Sequence, residues 1–349
     1  MEKSKERIVA EAMIKDYFKM KPDEFLAITA DQGSNFPQIE AFLEVAHEEG
    51  IKCTVLKTAT PPGQSKAAQA TIPVEATIAF LMNVDCWLDA GSMGLLYSDI
   101  FEEVTVKNKR MRYMLIVNLS TDLLYDMYCG FNADAMIELT CKIKDMLNES
   151  SEYTMRNAAG TDITFEMDHN NFICVDNGDA SKYGVFTPPA SVNVIPKQGT
   201  AKGTIACRAL YADPEPNFVT GTPVFIHVEN GEVFKIDGDE KGAAAMNKWY
   251  DKFAYDENAH KIAHTMIGML PSVTEMSGYV VKDERLNGGS CWGIGHVSAL
   301  DMPPAGQPSD THFDVILEKV SVYLDGVAIM ENGEFVHPDL KPIADKLVG

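Results

Sequence analysis

Apolar runs of strand length alternate with amphipathic runs of helix length through roughly the first 150 residues, and that order leaves few folds open. EFLAITA (24–30), IKCTVLK (51–57), DCWLDAG (85–91) and YMLIVNL (113–119) read as buried strands. Between and around them, residues 5–19 place Ile8, Ala12, Ile14 and Phe18 at helical spacing, and FPQIEAFLEVAHEEG (36–50) ends at Gly50, the glycine that helix C-termini favour. ADAMIELTCKIKDMLNES (133–150) closes the segment as a long amphipathic helix. Strands separated by helices must run parallel, with helices covering both faces of the sheet. The expectation is an α/β, Rossmann-like domain over residues 1–150. GSMGLL (91–96) is the nearest approach to a phosphate-binding glycine fingerprint, and it is too poor a match to indicate a nucleotide site.

The texture changes after Glu152. TMRNAAGTDITFEMD (154–168), GTAKGTIACRALY (199–211), PVFIHVENGEVFKIDG (223–238) and FDVILEKVSVYLDGVAIMENGEFV (313–336) are short β-rich runs broken by Gly, Asn and Asp. ENGE occurs in two of them, and Asn-Gly favours the primed turns of hairpins. One predicted helix, residues 243–263, interrupts the strands. Residues 151–349 are therefore expected to form a larger, mostly antiparallel α+β domain.

Bulk properties remove several functions. Acidic residues outnumber basic ones 51 to 30, a formal charge of −21, which repels phosphate backbones and anionic lipid. Neither nucleic acid nor membrane is an expected partner. The N-terminal segment is charged and amphipathic rather than a secretory leader, and no run reaches the ~18 apolar residues of a membrane span. Seven scattered cysteines without a CxxC pair suggest neither a disulfide framework nor a thiolate zinc site. A reducing cytoplasm is the expected compartment.

Chemistry concentrates in the last third. Thr311-His312-Phe313-Asp314 opens a β-run, and residues i and i+2 of a strand share a face. His312 and Asp314 can then offer a nitrogen and an oxygen to one ion. The loop DMPPAGQPSD (301–310) precedes the pair, and before that lies the glycine-rich RLNGGSCWGIGHVSA (285–299), whose small residues permit close backbone approach to a ligand. His264, four residues after His260 in a helical reading, is the candidate third donor; His260 and His296 are weaker candidates. Two imidazoles and a carboxylate leave coordination positions open and suit Fe(II) oxygenases, with related sets in Zn(II) hydrolases. The implied cofactor is one divalent transition metal per chain, Fe2+, Zn2+ or Mn2+.

KIAHTMIGMLP (261–271), KDERLNGGSCWGIGHVSA (282–299) and THFDVIL (311–317), in this order and spacing, resemble a metallopeptidase-like superfamily. It holds the aminopeptidase T and S peptidases and the 2,5-dihydroxypyridine 5,6-dioxygenases of nicotinate breakdown. AAGTDITFEM (158–167) and VENGEVFKIDG (228–238) are similar to its second domain, and MGLLYSD (93–99) to the dioxygenase. The resemblance implies a mononuclear centre on His264, Ser298, His312 and Asp314. The two-metal aminopeptidases carry a glutamate where His264 stands, a histidine where Trp292 stands, and Gly-Glu-Val where Lys202-Gly203-Thr204 stands. The dioxygenases carry one active-site histidine where this chain has Tyr97, and another near the stretch from Ser181 to Tyr183, which here has none. A phenol with a pKa of about 10 is a hydrogen-bond donor rather than a base near neutral pH, so the pattern implies related chemistry on another substrate.

Three readings follow. The first is a mononuclear hydrolase of an amide or cyclic amide in a small molecule, with Tyr97 holding the oxyanion and Asp283 or Glu284 as base. The second is an Fe(II) ring-cleaving dioxygenase of a hydroxylated N-heterocycle such as a dihydroxypyridine. The third is a metal- or ligand-binding protein without catalysis. The resemblance also implies a homo-oligomer.

Overall fold

A computed structural model describes residues 3–63, 65–116, 119–213, 217–299 and 301–348. The chain divides into two units. One runs to Ala133 and takes back Asn177–Pro189; the other holds Asp134–Asp176 and everything from Ala190 onward. A single cut at residue 150 therefore misses two details. The helix Ala133–Glu149 lies almost wholly in the second unit, and a segment beyond 150 returns to the first.

In the first unit the apolar runs form a parallel sheet in the order Lys52–Thr58, Phe25–Asp31, Cys86–Asp89, Arg112–Leu115, Gly184–Phe186. The last of these strands is the returning segment, too short to show a period in the sequence. YMLIVNL yields only Arg112–Leu115 as strand, and Val117 and Asn118 lie outside the described residues. Helices Phe36–Glu48 and Asp99–Lys107 begin at side-chain caps, Asn35 on the Gln38 N–H and Ser98 on the Phe101 N–H, which satisfy donors the helix leaves unpaired. The core on one face gathers Trp87, Tyr113, Phe101, Val104 and Leu81, with Trp87 edge-on to Tyr113 at 4.7 Å. Inside it Asp89 accepts hydrogen bonds from Thr29 Oγ1 (2.9 Å), Tyr113 Oη (2.8 Å) and the Leu95 N–H (2.7 Å), while burial pushes its carboxyl above the ordinary range.

The second unit is built on one antiparallel sheet of 13 strands among the described residues. Both ENGE segments are hairpin turns: Asn230 and Gly231 have φ of 51° and 77°, Asn332 and Gly333 of 48° and 86°, the two positive values a type I′ turn requires. The predicted 243–263 helix is shorter. It spans Glu240–Lys252 and ends at Phe253, because the Asp256 carboxylate collects the N–H groups of Asn258 (2.9 Å) and Asp310 (2.8 Å) into a tight turn. The chain then enters a strand, Ile262–Gly268. Among the described residues no helix is long and apolar enough to cross a membrane.

Candidate metal centre

Three neighbouring strands of the second unit carry the site: Ile262–Gly268, Ser290–Val297 and Gln307–Leu317, antiparallel in that spatial order. Alternation along the last divides its side chains. Phe313, Val315 and Leu317 point into an apolar core, fully buried, with Trp249 of the Glu240–Lys252 helix edge-on to Phe313 at 4.8 Å. His312 and Asp314 take the other face. Directly paired residues share a face, so the register His264–Gly293–Asp314 puts His264 on the same side, two strands away. His264 is thus a strand residue, and the helical i, i+4 relation to His260 does not exist. His260 instead stacks on Tyr250 with ring centroids 4.2 Å apart.

The three donors converge. His264 Nε2 lies 3.2 Å from His312 Nε2 and 3.6 Å from Asp314 Oδ1, and His312 Nε2 lies 3.2 Å from Asp314 Oδ1. Among the described residues these are the histidine, cysteine and acidic side chains grouped tightly enough for an ion. These separations are short enough for one ion to reach all three atoms through bonds of roughly 2.0–2.2 Å. The residues present fit a divalent transition metal, which His264, His312 and Asp314 would hold.

Surrounding groups fix each donor differently. His312 Nδ1 donates to the His296 carbonyl (3.0 Å), which turns Nε2 to the centre, the arrangement common for metal-bound histidines. His296 therefore contributes its backbone oxygen, while its exposed ring accepts from the Ser309 N–H at 3.4 Å. The Cys291 thiol points at Asp314 Oδ1 from 3.4 Å. His264 Nδ1 is buried without a hydrogen-bond partner among the described residues, so this ring is held by packing, stacked on His312 with centroids 5.2 Å apart.

Electrostatics separates the two imidazoles. Burial drives His264 down to about 4, opposed by the Asp314 charge and aided by His312, so it is neutral and ready to ligate near neutral pH. Burial also opposes a charge on His312, yet the Asp314 charge and hydrogen bond outweigh it and raise this imidazole above the ordinary value. Burial pushes Asp314 up as well, but His312, His264 and the Cys291 thiol bring it below the usual carboxylate range.

The remaining sequence candidates fall in several places. Asp283 is fully buried and accepts from Ser277 N–H (2.7 Å), Ser277 Oγ (2.6 Å), Gly278 N–H (2.9 Å) and Tyr211 Oη; its oxygens hold a loop together. Glu284 pairs with Arg285, and burial lifts its carboxyl to about 7, with Arg285 opposing and Asp314 adding. Ser298 follows the Ser290–Val297 strand, its carbonyl accepting the N–H groups of Asp301 (3.1 Å) and Met302 (3.0 Å). Tyr97 belongs to the first unit, 47% exposed, at a φ of 64°, with its ring edge-on to Phe101. Two participants escaped sequence reasoning. Cys291 showed no partner because Asp314 reaches it only through strand pairing. Gly293 was read as room for a ligand, whereas the space it leaves is taken by the His264 ring.

A sequence profile described as 2,5-dihydroxypyridine 5,6-dioxygenase matches residues 14–337. The solved 2,5-dihydroxypyridine dioxygenase of Pseudomonas putida KT2440 aligns over 97% of this chain and 100% of its own, with a TM-score of 0.79 at 16% identity. Wild-type AmpT of Thermus thermophilus aligns over 95% and 99%, with a TM-score of 0.65 at 14% identity. A comparison with curated protein sequences finds no match. At these identities the structural likeness establishes the fold, and it agrees with the superfamily resemblance read from the sequence.

Proposed function

The chain belongs to the 2,5-dihydroxypyridine 5,6-dioxygenase family, and from that premise we propose that it is a mononuclear Fe(II) enzyme that opens the ring of a hydroxylated N-heterocycle with O2. The observation that carries this reading is the convergence of His264, His312 and Asp314 within a family-matched segment, their donor atoms 3.2–3.6 Å apart. The hydrolytic reading, placed first from sequence, has no comparable support, because the family match names oxygen chemistry.

A ferrous ion on these donors supplies redox chemistry that no side chain offers, with coordination positions to spare. The residues do the rest. His264, neutral at working pH, and Asp314, ionised, present lone pairs without first losing protons. Glu284, lifted to about 7, can take a proton from a ring hydroxyl and return it, which suits acid–base work near neutral pH. Asp283 cannot readily do so with both oxygens committed to the loop. Ser298 is proposed as an additional ligand, and Tyr97 as a hydrogen-bond donor to substrate.

The test is an anaerobic assay of chelated, Fe(II)-reloaded protein against a panel of dihydroxypyridines. Turnover is expected only after O2 is admitted, with both oxygen atoms in the product by isotope labelling and one ring carbon–carbon bond broken. Turnover under strict anaerobiosis, or incorporation of oxygen from water alone, would return the case to hydrolysis.

A further inference from the structure

We propose that the Ser290–Val297 strand, which supplies no side-chain ligand, is the template that sets the centre, with Gly293 as the positioning residue for His264. The inference rests on reading His264, His312 and Asp314 as a metal site and deepens it.

Strand spacing states the problem. His264 and Asp314 sit on strands separated by one intervening strand, so their backbones are two spacings, about 9.6 Å, apart. Side chains normally stand away from a sheet, and a row of three ordinary residues would keep the outer two apart. Yet His264 Nε2 comes within 3.6 Å of Asp314 Oδ1. The imidazole manages this by lying across the middle strand at Gly293, a position with no side chain. A Cβ on Gly293 would fall 2.3 Å from His264 Nε2, 2.5 Å from Cδ2 and 2.8 Å from Cε1. No alanine can occupy that point while the ring stays.

Gly295, two residues on, is a glycine for a different reason. Its φ is +105°, and a Cβ there would meet the Thr311 carbonyl oxygen at 2.4 Å, so backbone conformation demands it. Gly293 has no such backbone constraint; its φ is outside the left-handed region. What Gly293 provides is space for one imidazole. The same strand directs the other two ligands, through the His296 carbonyl on His312 Nδ1 and the Cys291 thiol on Asp314 Oδ1. Three positions of one strand thus orient three ligands borne by its two neighbours.

The experiment uses the full chain, stripped of metal and titrated with Co(II), whose visible spectrum reports the coordination sphere. Gly293→Ala is expected to bind Co(II) roughly 100-fold more weakly, with an altered spectrum. Its metal-free unfolding midpoint should stay within about 4 °C of wild type, since the backbone tolerates alanine. A second arm guards against a folding defect. His264→Ala leaves a ring-shaped space that free imidazole can refill, restoring the spectrum; in the double variant H264A/G293A the added methyl blocks the seat and imidazole fails to rescue. Wild-type binding by G293A, or equal rescue of both H264A proteins, overturns the template. A wild-type chain that takes up no Co(II) overturns the metal reading itself, and the template with it.

Discussion

The Cys291 thiol keeps its proton, because burial and then the charges of Asp314 and Glu284 push it well above an ordinary cysteine. It therefore acts as a donor to Asp314, and donors behind ligating carboxylates typically govern metal affinity by 10–100-fold. Cys291→Ala is expected to weaken metal binding roughly tenfold, while Cys291→Ser, whose hydroxyl also donates, keeps most of it; calorimetric titration distinguishes the two. Glu284 makes a prediction of opposite kind. Its carboxyl is raised from 4.5 to about 7 in the folded chain, so below the ordinary value both states are protonated and nothing is lost. As pH climbs from about 4.5 to about 7 the unfolded chain ionises first, and the metal-free fold loses stability, up to ~3 kcal/mol. Glu284→Gln removes that dependence. Urea unfolding of metal-free protein should show the variant gaining on wild type between pH 5 and pH 8, and parallel curves would contradict the assignment.

Among the elements, the loop closed by Asp283 shows how a carboxylate picked from sequence as a base can be a structural clasp. Four donors converge on it, and Asp283→Asn would aim an amide N–H2 at one or more of them. The expected cost is about 2–4 kcal/mol, read as a lower urea midpoint at constant slope. Sequence legibility followed interaction range. His312 and Asp314 were legible because two-residue alternation is a local property of a strand. His264 was singled out as the third donor but placed on a helix, since His260 and His264 imitate helical spacing and the Asp256 turn that breaks it depends on Ser309 and Asp310, far along the chain. Cys291 and Gly293 acquire their roles only through the register of three strands, which no local pattern encodes. The ENGE hairpins, by contrast, were fully local and were read as they are.

On the scale of the whole molecule, the chain leaves its first unit at Ala133, builds the strands Glu152–Arg156, Asp162–Glu166 and Cys174–Asp176 of the second, and then returns with Asn177–Pro189. A fragment ending at residue 150 accordingly lacks the strand that pairs with Arg112–Met114. The Arg112 N–H bonds to the Asp85 carbonyl on the opposite side, so alternation turns the Tyr113 N–H toward the returning strand. Hydrogen exchange at Tyr113 is expected to be fast in that fragment and slow in the full chain; equal protection would mean the returning strand contributes nothing there. The same detour has a consequence during synthesis. Some 70 residues separate Leu115 from Phe186, and at about 5–20 residues per second a ribosome needs roughly 4–14 s to deliver them. For that interval the nascent sheet carries an unfilled hydrogen-bonding margin beside an apolar core, the kind of template on which neighbouring chains aggregate. Production of this protein should therefore respond to translation speed and to chaperone supply before it responds to the stability of the finished fold.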